Sequence, residues 1–193
     1  MKKIEKIAPR EARALIRKGE WQKSTASLAL GYAQANLVIL PNRYAFDFLL
    51  FCQRNPKPCP LLEVLETGKY ITEFLAAGAD ITTDLPLYNI YRNGKLTDTV
   101  PNIEDLWQED FVTFLLGCSH SFEEALLKMK IPIRHIEEDK TVPMYITGIQ
   151  GWSRSFRQSP TVFKWFAAFI HTASFILGNL SQYTSSGVLS ESP

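Results

Sequence analysis

Cysteine is scarce and poorly spaced in this chain of 193 residues: Cys52, Cys59 and Cys118 form no C-x-x-C pair. An odd count without that spacing gives neither a disulfide framework nor a zinc site. An excess of one charge is also lacking. With 21 basic and 20 acidic residues the formal net charge is +1, which removes any general electrostatic case for nucleic acid or an anionic membrane. The opening segment Met-Lys-Lys-Ile-Glu-Lys-Ile is charged and lacks the apolar run of a secretory leader. A reducing cytoplasm is therefore the expected compartment.

Charge almost disappears beyond Gln150, where only Arg154, Arg157, Lys164 and Glu191 carry any. This shift divides the chain into residues 1–149 and a divergent apolar and Ser-rich tail, 150–193. Residues 161–180 are apolar and aromatic, interrupted by Lys164, His171 and Asn179. A bilayer-spanning helix needs about 20 mostly apolar residues, so this is a marginal span, and a membrane anchor is not favoured. The last residues, from Ser181, have the polar composition of a disordered tail.

The remaining length suits a single domain with a real core. Pro9 at a first helical position and Gly19 as a stop predict a short helix over 10–18. Ala12, Leu15 and Ile16 would face inward, and Arg10, Arg13 and Arg17 would form a solvated basic side. Leu37 to Leu40 reads as a strand ended by Pro41, with the amides of Gln34 and Asn36 just before it. Those amides suit either a ligand or buried backbone, and spacing does not choose. Asn42 is expected to cap a helix with an apolar stripe of Phe46, Leu49 and Leu50, stopping at Arg54–Asn55 before Pro56. Pro56, Pro58 and Pro60 make the next loop rigid.

Leu61 to Leu65 is a further short strand. Asp80 and Asp84 fall in a loop-like stretch with no His or third carboxylate at ligand spacing. Residues 87–92 and 95–100 flank Asn93-Gly94, a type I′ hairpin signal. Phe111 to Leu116 reads as a buried strand, and Gly117-Cys-Ser-His120 turns the chain. Ser121 and Glu124 have the spacing of a capping box opening a helix. Backbone N–H groups and a positive helix end would then lie beside a thiol and a hydroxyl, where an anionic group could settle. Residues 131–136 read as a strand carrying Arg134, which suits a carboxylate, and His135, which titrates near neutrality. Val142 to Ile149 reads as another strand. Alternation of strand and helix from Leu37 to Ile149 gives the expected class: α/β, mixed α+β, with short strands alternating with helices.

Several of these stretches occur as blocks in a fixed order: Gly31-Tyr-Ala-Gln-Ala-Asn-Leu-Val-Ile-Leu-Pro41, Phe51-Cys-Gln-Arg-Asn-Pro-Lys-Pro-Cys-Pro60, Gly78-Ala-Asp-Ile-Thr-Thr-Asp-Leu-Pro86, Gly117-Cys-Ser-His-Ser-Phe-Glu123 and Val142-Pro-Met-Tyr145. Together they resemble the signature blocks of the D-glutamate cyclase family, whose bacterial members are described as hydro-lyases. The resemblance runs from about Pro9 to Ile149. It implies a mixed α/β enzyme that eliminates water, closing D-glutamate to 5-oxo-D-proline or dehydrating a related small carboxylic acid. Ser27 and Leu30 depart from the family's Gly and Pro. The family continues past its Met-Tyr block with a glycine-rich run and further strands, and nothing after Thr147 matches them. The tail therefore reads as a shifted frame or a truncated gene product, leaving an incomplete version of a larger two-lobed fold.

The resemblance, joined to the residue chemistry, gives a candidate set. Cys118, Ser119, Glu123, His135 and Asp84 are the candidate catalytic groups. Gln34, Asn36, Asn55, Gly117, Arg134 and Tyr145 are the candidate substrate contacts. The turn from Gly117 to Ser119 would donate N–H groups to an oxyanion. Glu123, Asp84 or His135 would move protons, and Cys118 is a candidate nucleophile. No cofactor or metal ligand set is identified, and a divalent-metal requirement and homo-oligomerisation stay open. The implied partner is a small carboxylate or amino acid, with no nucleic acid. Two other readings stand beside the lyase: an inactive remnant or non-catalytic ligand-binding protein, and a membrane-associated protein held through 161–180.

Overall fold

A computed structural model describes residues 7–25, 28–29, 31–118, 121, 123–138 and 174–179. The chain opens with α1 (Pro9–Arg17), whose Pro9 occupies the first helical position. The Glu11 carboxylate accepts the Ala8 N–H at 3.2 Å. At the other end Gly19 N–H donates to Ile16 O and Glu20 N–H to Leu15 O, a Schellman stop that satisfies the last carbonyls. Then follow β1 (Tyr32–Pro41), α2 (Asn42–Arg54), β2 (Leu61–Val64), β3 (Tyr88–Arg92), β4 (Lys95–Val100), a 3₁₀ turn (Glu104–Leu106) and β5 (Phe111–Gly117). Two short helices, α3 (Glu123–Lys128) and α4 (Arg134–Glu137), precede β6 (Ser174–Asn179).

The main sheet has the order β2-β5-β1-β6, and every pairing in it is antiparallel. Since β5 runs against both β1 and β2, those two are parallel to each other. Thus β1-α2-β2 is a βαβ unit with β5 inserted between its strands. The mixed class read from the sequence is the one that forms. β3 and β4 make a separate hairpin. Asn93 (φ 50°) and Gly94 (φ 75°) both lie in the left-handed region, as a type I′ turn requires.

Alternation along β1 and β5 sends side chains to two cores. Val38, Val112, Phe114 and Leu116 meet Phe48, Phe51 and Cys52 of α2 on one face. Phe48 lies edge-on to Phe114, with ring centroids 4.7 Å apart at 80°. Ala35, Leu37 and Leu115 meet Ile81, Leu85 and Tyr88 on the other. The loop between β2 and β3 is held there by buried polar groups. Glu63 accepts the N–H groups of Glu73, Phe74 and Leu75 at 3.0–3.3 Å. Tyr88 Oη donates to Ile81 O at 2.9 Å.

Several sequence expectations change. β1 begins at Tyr32, so Gln34 and Asn36 are strand residues; pairing to β5 and β6 on both sides carries the ladder past the polar positions. Asn42 is the first helical residue of α2 and Pro41 holds the cap position without a side-chain bond. The stripe of α2 is Phe48, Phe51 and Cys52, whereas Phe46 is 68% exposed and Leu49 38%. Apolar residues surround this helix on all sides, so its inner face is set by the sheet beneath it. Residues 134–137 are helical rather than extended. Over so few positions the spacing of Ile133 and Ile136 fits a helical turn as well as a strand. The strand expected over 142–149 lies outside the described residues. Of the apolar stretch 161–180, residues 174–179 are a strand on the edge of β1 and not part of a spanning helix. Among the described residues no helix is long and apolar enough to cross a membrane.

The basic side of α1 is not a solvated face either. Arg13 is buried, and its Nε lies 3.4 Å from Asp84. Arg17 Nη1 lies 3.1 Å from the same carboxylate, which is wholly buried and also accepts the Asp80 N–H at 3.1 Å. Burial pushes the Asp84 carboxyl up from its ordinary range, with Arg17 and Arg13 pulling the other way. Burial lowers Arg13 in turn, against the attraction of Asp84. Removing one partner of such a pair leaves an uncompensated buried charge. Asp84→Ala is expected to cost about 3–5 kcal/mol in urea unfolding followed by tryptophan fluorescence. Arg17→Ala, at a half-exposed position, should cost no more than about 1 kcal/mol. Equal losses would show that the buried Arg13–Asp84 contact does not hold α1.

Candidate functional site

The candidate site grows from the end of the β1–β5 ladder. Ala35 pairs with Gly117 at its last rung. The β-carbon of any larger residue at 117 would stand 3.0 Å from Pro60 Cγ. A side chain here would press on the Pro60 ring, which would have to give by a few tenths of an ångström, and the Gly117 N–H donates to Pro60 O at 2.8 Å. Cys118 is buried, and its N–H donates to Gln34 O at 3.0 Å. Ser121 completes the junction: its Oγ accepts the Gln34 N–H at 3.0 Å and donates back to Gln34 O at 3.4 Å. A hydroxyl here stands in for the next residue of a paired strand.

That geometry corrects two readings of the turn. Ser121 does not cap α3, which begins at Glu123, because its hydroxyl is occupied with the backbone of β1. The Gly117 and Cys118 N–H groups are both spent on carbonyls and do not point at a vacant oxyanion position. Glu123 is buried at the start of α3, two residues from the Ser121 junction. Ser119 and Tyr145 lie outside the described residues.

The two amides of β1 point to the same face but have different fates. Gln34 Oε1 accepts from Thr25 Oγ1 at 2.8 Å, and Nε2 donates to Thr25 O at 3.1 Å and Leu28 O at 3.2 Å. Its side chain thus holds the segment before β1 against the sheet. Asn36 is equally buried, yet neither Oδ1 nor Nδ2 finds a partner among the described residues.

The other candidates are scattered. Asn55 follows the last turn of α2, where Nδ2 donates to Phe51 O at 2.8 Å. Asp84 is held by α1, next to Leu85, which packs on the opposite face of the sheet from Gln34 and Asn36. Arg134 is exposed on α4, its Nε 2.7 Å from Glu138 Oε1. That is an ordinary pair one helical turn apart, and it clamps nothing in the site. His135 follows it in the same helix. Among the described residues no three His, Cys, Asp or Glu side chains group closely enough to hold a metal ion. A groove of about 210 Å³, lined by Ala45, Phe46, Leu49, Val64, Val112 and Phe114 among others, lies at the far end of the ladder and is mostly apolar.

Several contacts here were missed in the sequence. The Gln34–Thr25 contact and the Ser121–Gln34 junction leave no periodic trace. For Arg13 a signal existed: it shares α1's inner turn with Ala12 and Ile16.

The remaining thiols are packing groups. Burial pushes Cys52 up to about 12, with Cys59 adding to the effect, and burial pushes Cys59 up to about 11. Only the thiolate is nucleophilic. Cys52 and Cys59 should therefore resist iodoacetamide at pH 8 in the folded chain and react fully in 6 M guanidinium, as read by mass spectrometry. Fast labelling of either in the native state would contradict this packing.

The D-glutamate cyclase family model matches residues 112–164, which take in β5 from its second residue and the turn after it. A Geobacillus kaustophilus protein named "Putative hydro-lyase" is 57% identical over 143 residues, covering 74% of this chain and 54% of the relative. A Thermoanaerobacter protein of the same description is 57% identical over 146 residues, 76% of this chain and 55% of its own length. One from Clostridium beijerinckii is 52% identical over 145 residues, with shares of 75% and 55%. This chain spans about half the length of the curated relatives it matches. Across that matched region the chain belongs to the D-glutamate cyclase family.

Proposed function

We propose that the turn after β5 belongs to a lyase site that removes water from a small carboxylic acid, the reaction being closure of D-glutamate to 5-oxo-D-proline. The observation that supports this reading is the family match, which runs through Gly117, Cys118, Ser121 and Glu123. In that closure the amino nitrogen attacks the γ-carboxyl carbon. A C–N bond forms, a C–O bond breaks, and two protons leave the ammonium to depart with the oxygen as water. Glu123, a buried carboxylate at the end of the ladder, takes a proton from the nitrogen and returns it to the departing oxygen. Asp84 is committed to its arginines and Arg134 to the surface, so neither enters this scheme. Cyclisation needs no covalent intermediate, and Cys118 acts by packing.

A binding protein without turnover is the second reading. One observation favours it: the N–H groups of Gly117 and Cys118 are already spent, and preorganised donors usually supply the largest share of such catalysis.

The two readings separate on incubation of the chain with D-glutamate, with and without Mg²⁺, beside the Geobacillus relative as positive control. The lyase reading expects 5-oxo-D-proline by chiral chromatography. It also expects a kcat lowered about 10²–10⁴-fold in Glu123→Gln and turnover retained in Cys118→Ala. No product beside an active control would leave the binding reading.

A further inference from the structure

We propose that Asn36 is the residue that recognises the ring-closed ligand, its carboxamide pairing with the cis-amide edge of a lactam. The residue assignment stands on geometry, and the choice of lactam rests on the lyase reading. Asn36 is 1% exposed, and both polar atoms of its side chain are buried without a partner among the described residues. Two positions earlier, Gln34 uses both ends of its amide inside the fold. Two positions later, Val38 joins the apolar cluster with Phe114 and Leu116, and Leu116 is the residue paired with Asn36 across the ladder. A leucine at 36 would continue that cluster. An amide there, with neither hydrogen bond made among the described residues, is a liability to the ligand-free fold. Such local sacrifices of stability are characteristic of binding sites.

The chemistry of the unpaired group narrows its ligand. A carboxamide presents one acceptor and one donor side by side. A lactam presents the complement: its N–H and C=O are fixed on the same edge by the ring. The lactam N–H donates to Oδ1 and the lactam carbonyl accepts from Nδ2, two parallel bonds to a side chain that is almost wholly buried. Open-chain glutamate has no such edge. The contact therefore forms as the ring closes, so it favours the cyclised form over the ground state. A ligand lacking either group leaves the buried amide unpaired, which is how such sites discriminate strongly.

The test uses the full chain, its Asn36→Leu variant and three probes: 5-oxo-D-proline, 2-pyrrolidinone and glutarate. Without ligand, Asn36→Leu is expected to raise Tm by about 2–4 °C, because it removes an unpaired buried amide. Calorimetric titration is expected to show both lactams binding the unaltered chain, glutarate at least tenfold more weakly than 5-oxo-D-proline, and at least a tenfold loss of lactam affinity in the variant. The proposal is overturned by a fall in Tm or failure of the variant to fold, since either means the fold itself uses the amide. Unchanged lactam affinity in the variant, or no lactam binding by the unaltered chain, overturns it equally. Lactam binding through Asn36 without glutamate turnover would remove the lyase reading and keep this one. Turnover with an indifferent Asn36 would do the reverse.

Discussion

The antiparallel pairing of β1 with β5 is the constraint on which the rest of the structure depends. Seven rungs, from Ala35↔Gly117 to Pro41↔Phe111, set one register. A slip by one residue would turn Val38, Phe114 and Leu116 away from α2 and expose the wrong set to each core. The same register brings Gln34 beside Cys118 and Ser121, 87 positions further along the chain. Core and candidate site are thus two consequences of a single ladder. The rigid stretch before β2 serves it too, since Pro60 takes the N–H of Gly117 and packs closely against its α-carbon side.

Around that ladder, buried polar groups have mostly found partners, as folded chains require. Glu63 gathers three backbone N–H groups, Asp84 gathers two guanidiniums and a backbone N–H, and Gln34 ties down Thr25 and Leu28. These carboxylates and amides resemble site residues in a sequence because buried polar chemistry looks the same in structural and functional use. What separates them is satisfaction. Asp84, Asn55 and Gln34 are occupied with the fold, and Asn36 has no partner among the described residues.

Much of the local architecture was legible because its signals act within a few residues. Pro9 and Gly19 bracket α1, Pro56 stops α2, Asn93-Gly94 folds the hairpin, and the apolar run from Phe111 makes β5. The block pattern likewise led to the family, and the match through Gly117 and Glu123 agrees with it. Legibility failed where two patterns fitted one short stretch, as at 131–136, and where polar residues sat in a fully paired strand, as at Gln34 and Asn36. It failed again at α2, whose apolar residues leave the inward face undefined until the sheet selects Phe48, Phe51 and Cys52.

By itself, then, the sequence determined α1, the span of α2, β2, β5, the hairpin with its turn, the mixed class and the family, since these depend on local backbone preference, hydrophobic period and contiguous blocks of residues. Tertiary structure alone decided the strand order, the pairing of Arg13 with Asp84, the use of Ser121 as a surrogate rung, and which of two neighbouring amides is left without a bond among the described residues. Each of those depends on which distant groups become neighbours once the chain leaves water. A hydrogen bond between residues 87 positions apart has no local precursor to read.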